Sequence, residues 1–425
     1  MKNKLNKITL ATLCLGLAFF ISCSDLPDIN EQETTSSSSG KGASNPSSAG
    51  SKSSSSSAAQ SSSSAALYSS SVVQAGSSSS NSSSSVATPS SNSTPSSSSV
   101  AVSSSSVVQS SSGGSPVTKE GIWSGKADIS WYNATRETFR ISKAEELAGL
   151  AQLVNDGTTD FYGKTITLNA DIMLNDTTGW KDKWEYYEAD NTWTPIGKDK
   201  THSFRGTFDG DGHIVSGVYY YDGTNGRTIG LFGYINGGVI KKLGVVASYI
   251  YGLSGVGCLL GEAYNGSISS SYSKCIVKTK SGSGSDVGGL VGFSVGITIS
   301  DCYSTSTVYG NSRVGGLAGC ACGEDNVVYN LVNPSKISNS YSIGEVSGTS
   351  YVGGLVGMYM YKWDSGGVST ITNSYYDQTT SKQTDAIGKS VGKTTADMQT
   401  TEFASTLGTE FKYNAGGYPK LKWEK

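Results

Sequence analysis

The side chains that could do chemistry are few. The chain has two histidines, His202 and His213. A metalloprotease presents His-Glu-x-x-His on a helix, so that both imidazoles reach one metal. No such motif occurs here. Multi-histidine metal sites and a Ser-His-Asp relay are left with almost nothing to work with. Polysaccharide hydrolysis needs two carboxylates at a set separation. The acids of the repeat region, among them Glu262, Asp286, Asp301 and Glu345, fall at different places in the repeat and form no recurring pair. The reading is a chain without catalytic residues, with no cofactor. Asp209-Gly-Asp-Gly212 offers alternating carboxylates to a calcium ion but lacks the bidentate Glu at loop position twelve, where Tyr220 stands. Asp-Gly is also a hairpin signal. The expectation is a tight turn between 204–208 and 214–220, with Asp209 and Asp211 a weak Ca²⁺ candidate.

Aromatic residues offer more. Trp180, Trp184, Tyr186, Tyr187 and Trp193 share a long segment with Asp176, Asp182, Glu185 and Asp190. Aromatic faces stack on sugar rings, and flanking carboxylates accept hydrogen bonds from sugar hydroxyls. Tyr219, Tyr220 and Tyr221 follow, and on a strand alternate members must face outward. Trp180, Trp184, Tyr186, Tyr187, Tyr219 and Tyr221 are therefore the candidate ligand contacts. Against them stands plain packing, with Trp193 and its neighbours covering one end of a core.

Positioning these groups falls to a repeat. Val256-Gly-Cys-Leu-Leu-Gly261 recurs as Val287-Gly-Gly-Leu-Val-Gly292, Val314-Gly-Gly-Leu-Ala-Gly319 and Val352-Gly-Gly-Leu-Val-Gly357, after a shortened copy, Ile229-Gly-Leu-Phe-Gly233. Successive starts lie 27, 31, 27 and 38 residues apart. A second element follows each full copy: Ile268-Ser-Ser-Ser-Tyr272, Ile299-Ser-Asp-Cys-Tyr303, Ile337-Ser-Asn-Ser-Tyr341 and Ile371-Thr-Asn-Ser-Tyr375. Ser, Asn, Thr and Gly disfavour helix and suit short strands with turns. Short strands at a fixed period describe a solenoid, in which equivalent residues stack in columns. Ile and Tyr, four apart, would share one strand face, and the unequal intervals would become loops.

These two elements resemble the GLUG repeat. The resemblance reaches upstream to Trp193-Thr-Pro-Ile-Gly197 and Phe204–His213, and downstream to Gly416–Trp423. It implies an all-β fold: a single right-handed β-helix, of a kind found in bacterial surface and adhesin-like proteins and beside the catalytic domain of IgA1-specific metallopeptidases. Without His-Glu-x-x-His, that peptidase activity is not expected here.

Caps should close the solenoid. Ser142-x-x-Glu145 reads as a capping box. A helix then runs with Ala144, Leu147, Leu150, Ala151 and Val154 on one face, stopped at Asn155-Asp156-Gly157. Thr165–Leu168 starts the first coil, Thr395–Leu407 is a second helix, and Tyr418–Trp423 packs back as a closing segment. The five head cysteines, Cys258, Cys275, Cys302, Cys320 and Cys322, are odd in number and fall in different repeat positions. They read mostly as free, buried thiols.

Ahead of the head lie an address and a spacer. Lys2, Lys4 and Lys7 precede an apolar run from Leu10 to Ile21, too short to span a bilayer. Ser22-Cys23 at its end resembles the lipobox of bacterial lipoproteins. The resemblance implies a signal peptide over 1–22 and lipidation of Cys23. Residues 34–116 hold 43 Ser in 83 positions and two charges. Such a segment buries too little to offset its ordering entropy. The domain reading is a signal at 1–22, a Ser-rich disordered stalk at 23–116 and a β-helix head at 117–425, with repeats at about 229–377 and a C-terminal cap at 378–425. The whole chain has 425 residues and a net charge of −2, which disfavours nucleic acid as a partner. The expected location is the bacterial cell envelope, lipid-anchored at the outer membrane and surface-exposed. The expected role is adhesion or binding, to glycan, extracellular matrix or a surface protein. The alternatives are a polysaccharide-cleaving lyase or hydrolase, and a structural surface-assembly component.

Overall fold

The computed structural model describes residues 121–326, 331–359, 369–384, 387 and 389–425. The signal, the lipidation site at Cys23 and the whole of the stalk lie outside the described residues.

Short strands, many turned at residues with positive φ, wind into a parallel β-solenoid of about seven turns. Successive turns pair in parallel and in register. Phe139 pairs with Ile166, which pairs with Phe208, then Ile240, Ile268, Ile299, Ile337 and Ile371. All eight are buried. Complete burial of one such side chain contributes about 1.5–3 kcal/mol, so this column is a spine for the core. On the opposite wall Ile229, Val256, Val287, Val314 and Val352 form a second column, and Phe232, Leu260, Val291, Ala318 and Val356 a third. Each of these two columns belongs to its own five-stranded sheet.

Ile and Tyr do not share a face. Between them sits a residue at positive φ: Ser270, Asp301, Asn339 or Asn373. Asn and Asp tolerate this left-handed conformation better than other non-glycine residues. The bend inverts the strand alternation, so Ile268 enters the core while Tyr272 points outward. The residue just before the Tyr points inward. There Ser271, Ser340 and Ser374 each donate a hydroxyl to the carbonyl two residues earlier at 2.8 Å. The same hydroxyls accept the backbone N–H of the preceding turn: Leu243 to Ser271, Cys302 to Ser340, Ser340 to Ser374. This internal serine ladder satisfies backbone groups that a corner would otherwise orphan.

The glycine pairs mark close backbone approach, as a Gly inside a strand suggests. A Cβ on Gly288 would sit 1.9 Å from the carbonyl oxygen of Val291, and one on Gly292 would sit 2.4 Å from Val256 N. The longest interval between repeats holds an antiparallel hairpin, Glu324–Asn326 with Leu331–Asn333.

Several local expectations shift. The N-terminal helix is Ala144–Asn155, ended at Asp156 with Gly157 at φ 74°. Its cap lies one residue later than Ser142-x-x-Glu145. Glu146 accepts from the N–H groups of Ser142 and Lys143, while Glu145 accepts from Ser124. Asp209–Gly212 makes no hairpin. Thr207–Ser216 is one strand with an irregularity between Asp209 and His213, paired in parallel on both sides. The long β-bridges of a solenoid override the local Asp-Gly turn signal. Thr395–Leu407 is two helices, Thr395–Met398 and Thr401–Thr406, because Thr400 caps a new N-terminus on Phe403 N–H. Four of the five head cysteines are in disulfides, Cys258–Cys275 and Cys320–Cys322, leaving Cys302 as the free, buried thiol. Cys258 and Cys275 belong to different repeat elements, but the narrow cross-section of the coil brings their Cα atoms to 6.2 Å.

Candidate functional site

The outward tyrosines form a stack. Tyr272 and Tyr303 lie 5.0 Å apart and 4° from parallel, Tyr303 and Tyr341 4.9 Å apart and 2° from parallel. A parallel β-register imposes this, since equivalent side chains repeat at the strand spacing. The C-terminal segment covers the lower stack. Phe411–Lys412 pairs with Lys420–Leu421, Trp423 Nε1 donates to the Ser270 carbonyl at 2.9 Å, and Tyr341 donates to the Pro419 carbonyl. Packing-back of Tyr418–Trp423 is therefore observed.

Between the tyrosine stack and this tail runs a groove of about 670 Å³. Its part-exposed aromatic residues include Trp180, on the short helix Trp180–Lys183, and Tyr272. Lys274 enters from the solenoid, two residues beyond Tyr272 on the same outer face; Lys420 and Glu424 enter from the tail. Glu424 accepts from Tyr303 Oη at 2.7 Å and from the Leu421 N–H at 2.7 Å. Burial raises its carboxyl above the usual range, against hydrogen bonds from Tyr303 and Leu421 and the nearby Lys420 and Lys412. Burial likewise raises the Tyr272 hydroxyl, with help from Glu424 and Asp171.

The sequence-derived contacts divide. Trp180 lines the groove. Trp184 and Tyr219 are 5% and 2% exposed and pack with Tyr249: Trp184 meets Tyr219 edge-on at 5.7 Å and Tyr219 stacks on Tyr249 at 6.1 Å. They hold the loop onto the solenoid, as does Lys278, which reaches Glu185 at 2.6 Å. Trp193 is buried and donates to the Leu231 carbonyl. Tyr186 and Tyr187 are 77% and 73% exposed. Tyr221 is half exposed and stacks on Tyr251 at 4.7 Å. Tyr186 and Tyr187 follow the helix that carries Trp180, both donating their N–H groups to the Lys183 carbonyl, but neither they nor Tyr221 line the groove. Tyr272, Lys274, Lys420 and Glu424 were not singled out from sequence. The alternation Tyr272-Ser-Lys274 is the available signal, obscured by the expectation that Ile268 and Tyr272 share one strand face.

Asp209 pairs with Lys241 at 3.0 Å, and the N–H of Asp211 donates to the Asp209 carboxylate. Both Asp209 oxygens are thus engaged without an ion. Among the described residues no group of three or more His, Cys, Asp and Glu converges as a metal site. His202 contacts Asp199 at 3.0 Å and His213 contacts Asp171 at 2.9 Å. Burial opposes ionisation of Asp199, but hydrogen bonds from Thr201 and His202 hold its carboxyl down at about 2.

Residues 283–309 match the family described as the GLUG motif. In this stretch the chain is similar to the GLUG motif. The stretch supplies Val287, Val291 and Ile299 to the columns and Tyr303 to the stack described above, and the turns registered against it repeat its pattern at Val256, Val314 and Val352. This turn therefore builds the scaffold and its Tyr the stack, with Cys302 in the place that Ser271, Ser340 and Ser374 take in the internal ladder. No curated protein matches the chain. Among solved structures it aligns with one described as a "putative immunoglobulin A1 protease" from Bacteroides ovatus, at 18% identity and a TM-score of 0.48, covering 68% of this chain and 93% of that one.

Proposed function

We propose that this chain is a cell-surface binding protein. Its GLUG solenoid presents an adhesive face to glycan or extracellular matrix, held off the bacterial outer membrane by the serine stalk and a lipid on Cys23. The observation that carries the reading is the groove of about 670 Å³ with Trp180 and Tyr272 part-exposed in its walls. Its volume lies in the range of ligand sites. Aromatic faces beside hydrogen-bonding groups suit a sugar chain, whose rings have an apolar face and a polar edge. Tyr186, Tyr187 and the Tyr221–Tyr251 pair offer further aromatic surface outside the groove.

Binding rather than cleavage is the better-supported role. A glycosidase places two carboxylates about 5–10 Å apart across the scissile bond. Glu424 is the one carboxylate among the groove-lining residues, and both its oxygens are engaged.

The test is retention of the purified chain on insoluble polysaccharides and on glycan arrays, with sugar release assayed in parallel. Trp180→Ala combined with Tyr187→Ala should abolish retention and leave the melting temperature within a few degrees. Release of sugars would move the chain to the enzyme class. Failure to bind any glycan or matrix component would favour a structural assembly role.

A further inference from the structure

We propose that the groove selects anionic glycans, chains bearing carboxylate or sulfate groups, over neutral ones. The inference rests on the groove being the glycan site and adds the class of glycan. Two ammonium groups enter the groove from different parts of the chain. Lys274 stands on the outer face of the solenoid strand Tyr272–Thr279, and Lys420 on the tail strand Lys420–Leu421. The one acid among the lining residues, Glu424, has both oxygens occupied: Tyr303 donates to one and the Leu421 N–H to the other. Lys412 hydrogen-bonds the carbonyls of Lys422 and Glu424, which places a third cation behind the tail wall. The groove thus combines two lysines with one occupied carboxylate, in a chain whose overall charge is close to neutral. The local excess of positive charge is a property of this surface and not of the composition.

A ligand acid would complete both lysines. Charge-assisted hydrogen bonds of this kind are about twice as strong as neutral ones, and Lys suits a point anion approached from any direction. Trp180 and Tyr272 meanwhile supply a ring-stacking surface that discriminates little between sugars. Charge therefore sets the selectivity and the aromatics the general affinity. Lys274 is exposed and Lys420 half-buried, so salt should weaken the interaction.

The experiment titrates the purified chain calorimetrically with three probes of matched length at low salt: an oligogalacturonate, a heparin oligosaccharide and a cello-oligosaccharide. At least one anionic probe is expected to bind about tenfold or more tightly than the neutral one. Lys274→Met and Lys420→Met, which keep the stem and remove the charge, should each weaken the anionic probe about tenfold and leave the neutral probe unchanged. Trp180→Ala should weaken all binding. Whether the carboxylated or the sulfated probe prevails decides which acid is read. Equal or tighter binding of the neutral probe would overturn the charge selectivity while leaving a glycan site in place, as would lysine variants that bind like the parent. Absence of binding by all three probes would remove both the selectivity and the site. Unchanged circular dichroism in the lysine variants guards against misfolding.

Discussion

Tyr303 donates its hydroxyl to Glu424 across 121 residues of sequence, at 2.7 Å. The bond ties the central tyrosine of the GLUG stack to the end of the chain. It forms where Glu424 is 9% exposed, so water cannot substitute freely for a lost donor. Tyr303→Phe keeps the ring stack and removes the donor. It should cost about 1–3 kcal/mol, the penalty of an under-satisfied buried group, read as a lower melting temperature. In the Glu424→Gln background the same substitution should cost less, because a neutral amide is cheaper to leave with one partner fewer. A double-mutant cycle by denaturant unfolding measures the difference.

Cys302 stands in the serine column. Its Sγ contacts the Ser300 carbonyl at 3.1 Å, the place taken by the hydroxyl of Ser340 one turn later. Cys302→Ser should therefore be tolerated within about 1 kcal/mol. Ser340→Ala should cost about 1–3 kcal/mol, since it leaves the Cys302 N–H without its acceptor. Burial pushes the Cys302 thiol up to about 12, so little thiolate exists at neutral pH. A thiol reagent should label Cys302 only on global unfolding, and labelling at the rate of a free thiol in the folded chain would contradict the packing.

Much of the scaffold was legible because a solenoid repeats its constraints. Val, Ile and Gly recur at positions that must stack, and each recurrence is visible as spacing. The facing of the tyrosines was not legible. Even spacing between Ile268 and Tyr272 implies one face, and only the left-handed backbone at Ser270 reverses it. Asn339 and Asn373 in the equivalent place were the hint, since Asn enters that conformation readily. The groove was hidden for the same reason. It depends on the outward Tyr272 and on the tail, whose packing back is expected from the sequence but whose seat on the tyrosine stack no local pattern encodes. Trp180 was found because aromatic residues in a long polar segment stand out. Trp184 and Tyr219 look identical in sequence, yet they are buried because the loop folds back on the Tyr249 rung.

Glu262 should make stability fall as pH rises. It stands in register between Tyr234 and Phe293. Burial raises its carboxyl to about 7, and Asp286 adds to the rise, while Thr228 and Arg227 oppose it. The folded state therefore holds a proton that the unfolded chain releases near pH 4.5. This contribution is complete below about pH 4.5 and is lost as pH climbs to about 7. Its full size is on the order of 3 kcal/mol. Glu262→Gln should flatten the pH dependence over that window and leave the variant more stable than the parent at pH 8. A melting-temperature profile from pH 4 to 8 checks it, and parallel profiles for the two proteins would refute the assignment.

Asp286 and Arg313 form the complementary case, a charge kept buried by its partner. They occupy successive turns at left-handed corner positions. Arg313 Nε and Nη2 meet the two oxygens of Asp286 at 2.6 and 2.8 Å. The side chains are 12% and 3% exposed, so water offers little screening. Removing one partner leaves an uncompensated buried ion, whereas removing both can be nearly neutral. Arg313→Met alone should cost about 3–5 kcal/mol. Asp286→Asn alone should cost less, because the amide is uncharged and Arg313 lies nearer solvent. The double variant should recover much of the Arg313→Met loss. Denaturant unfolding of the four proteins gives the coupling directly. Additive losses would mean that the pair acts as two independent surface charges, and the bidentate geometry would then contribute nothing to the alignment of these turns.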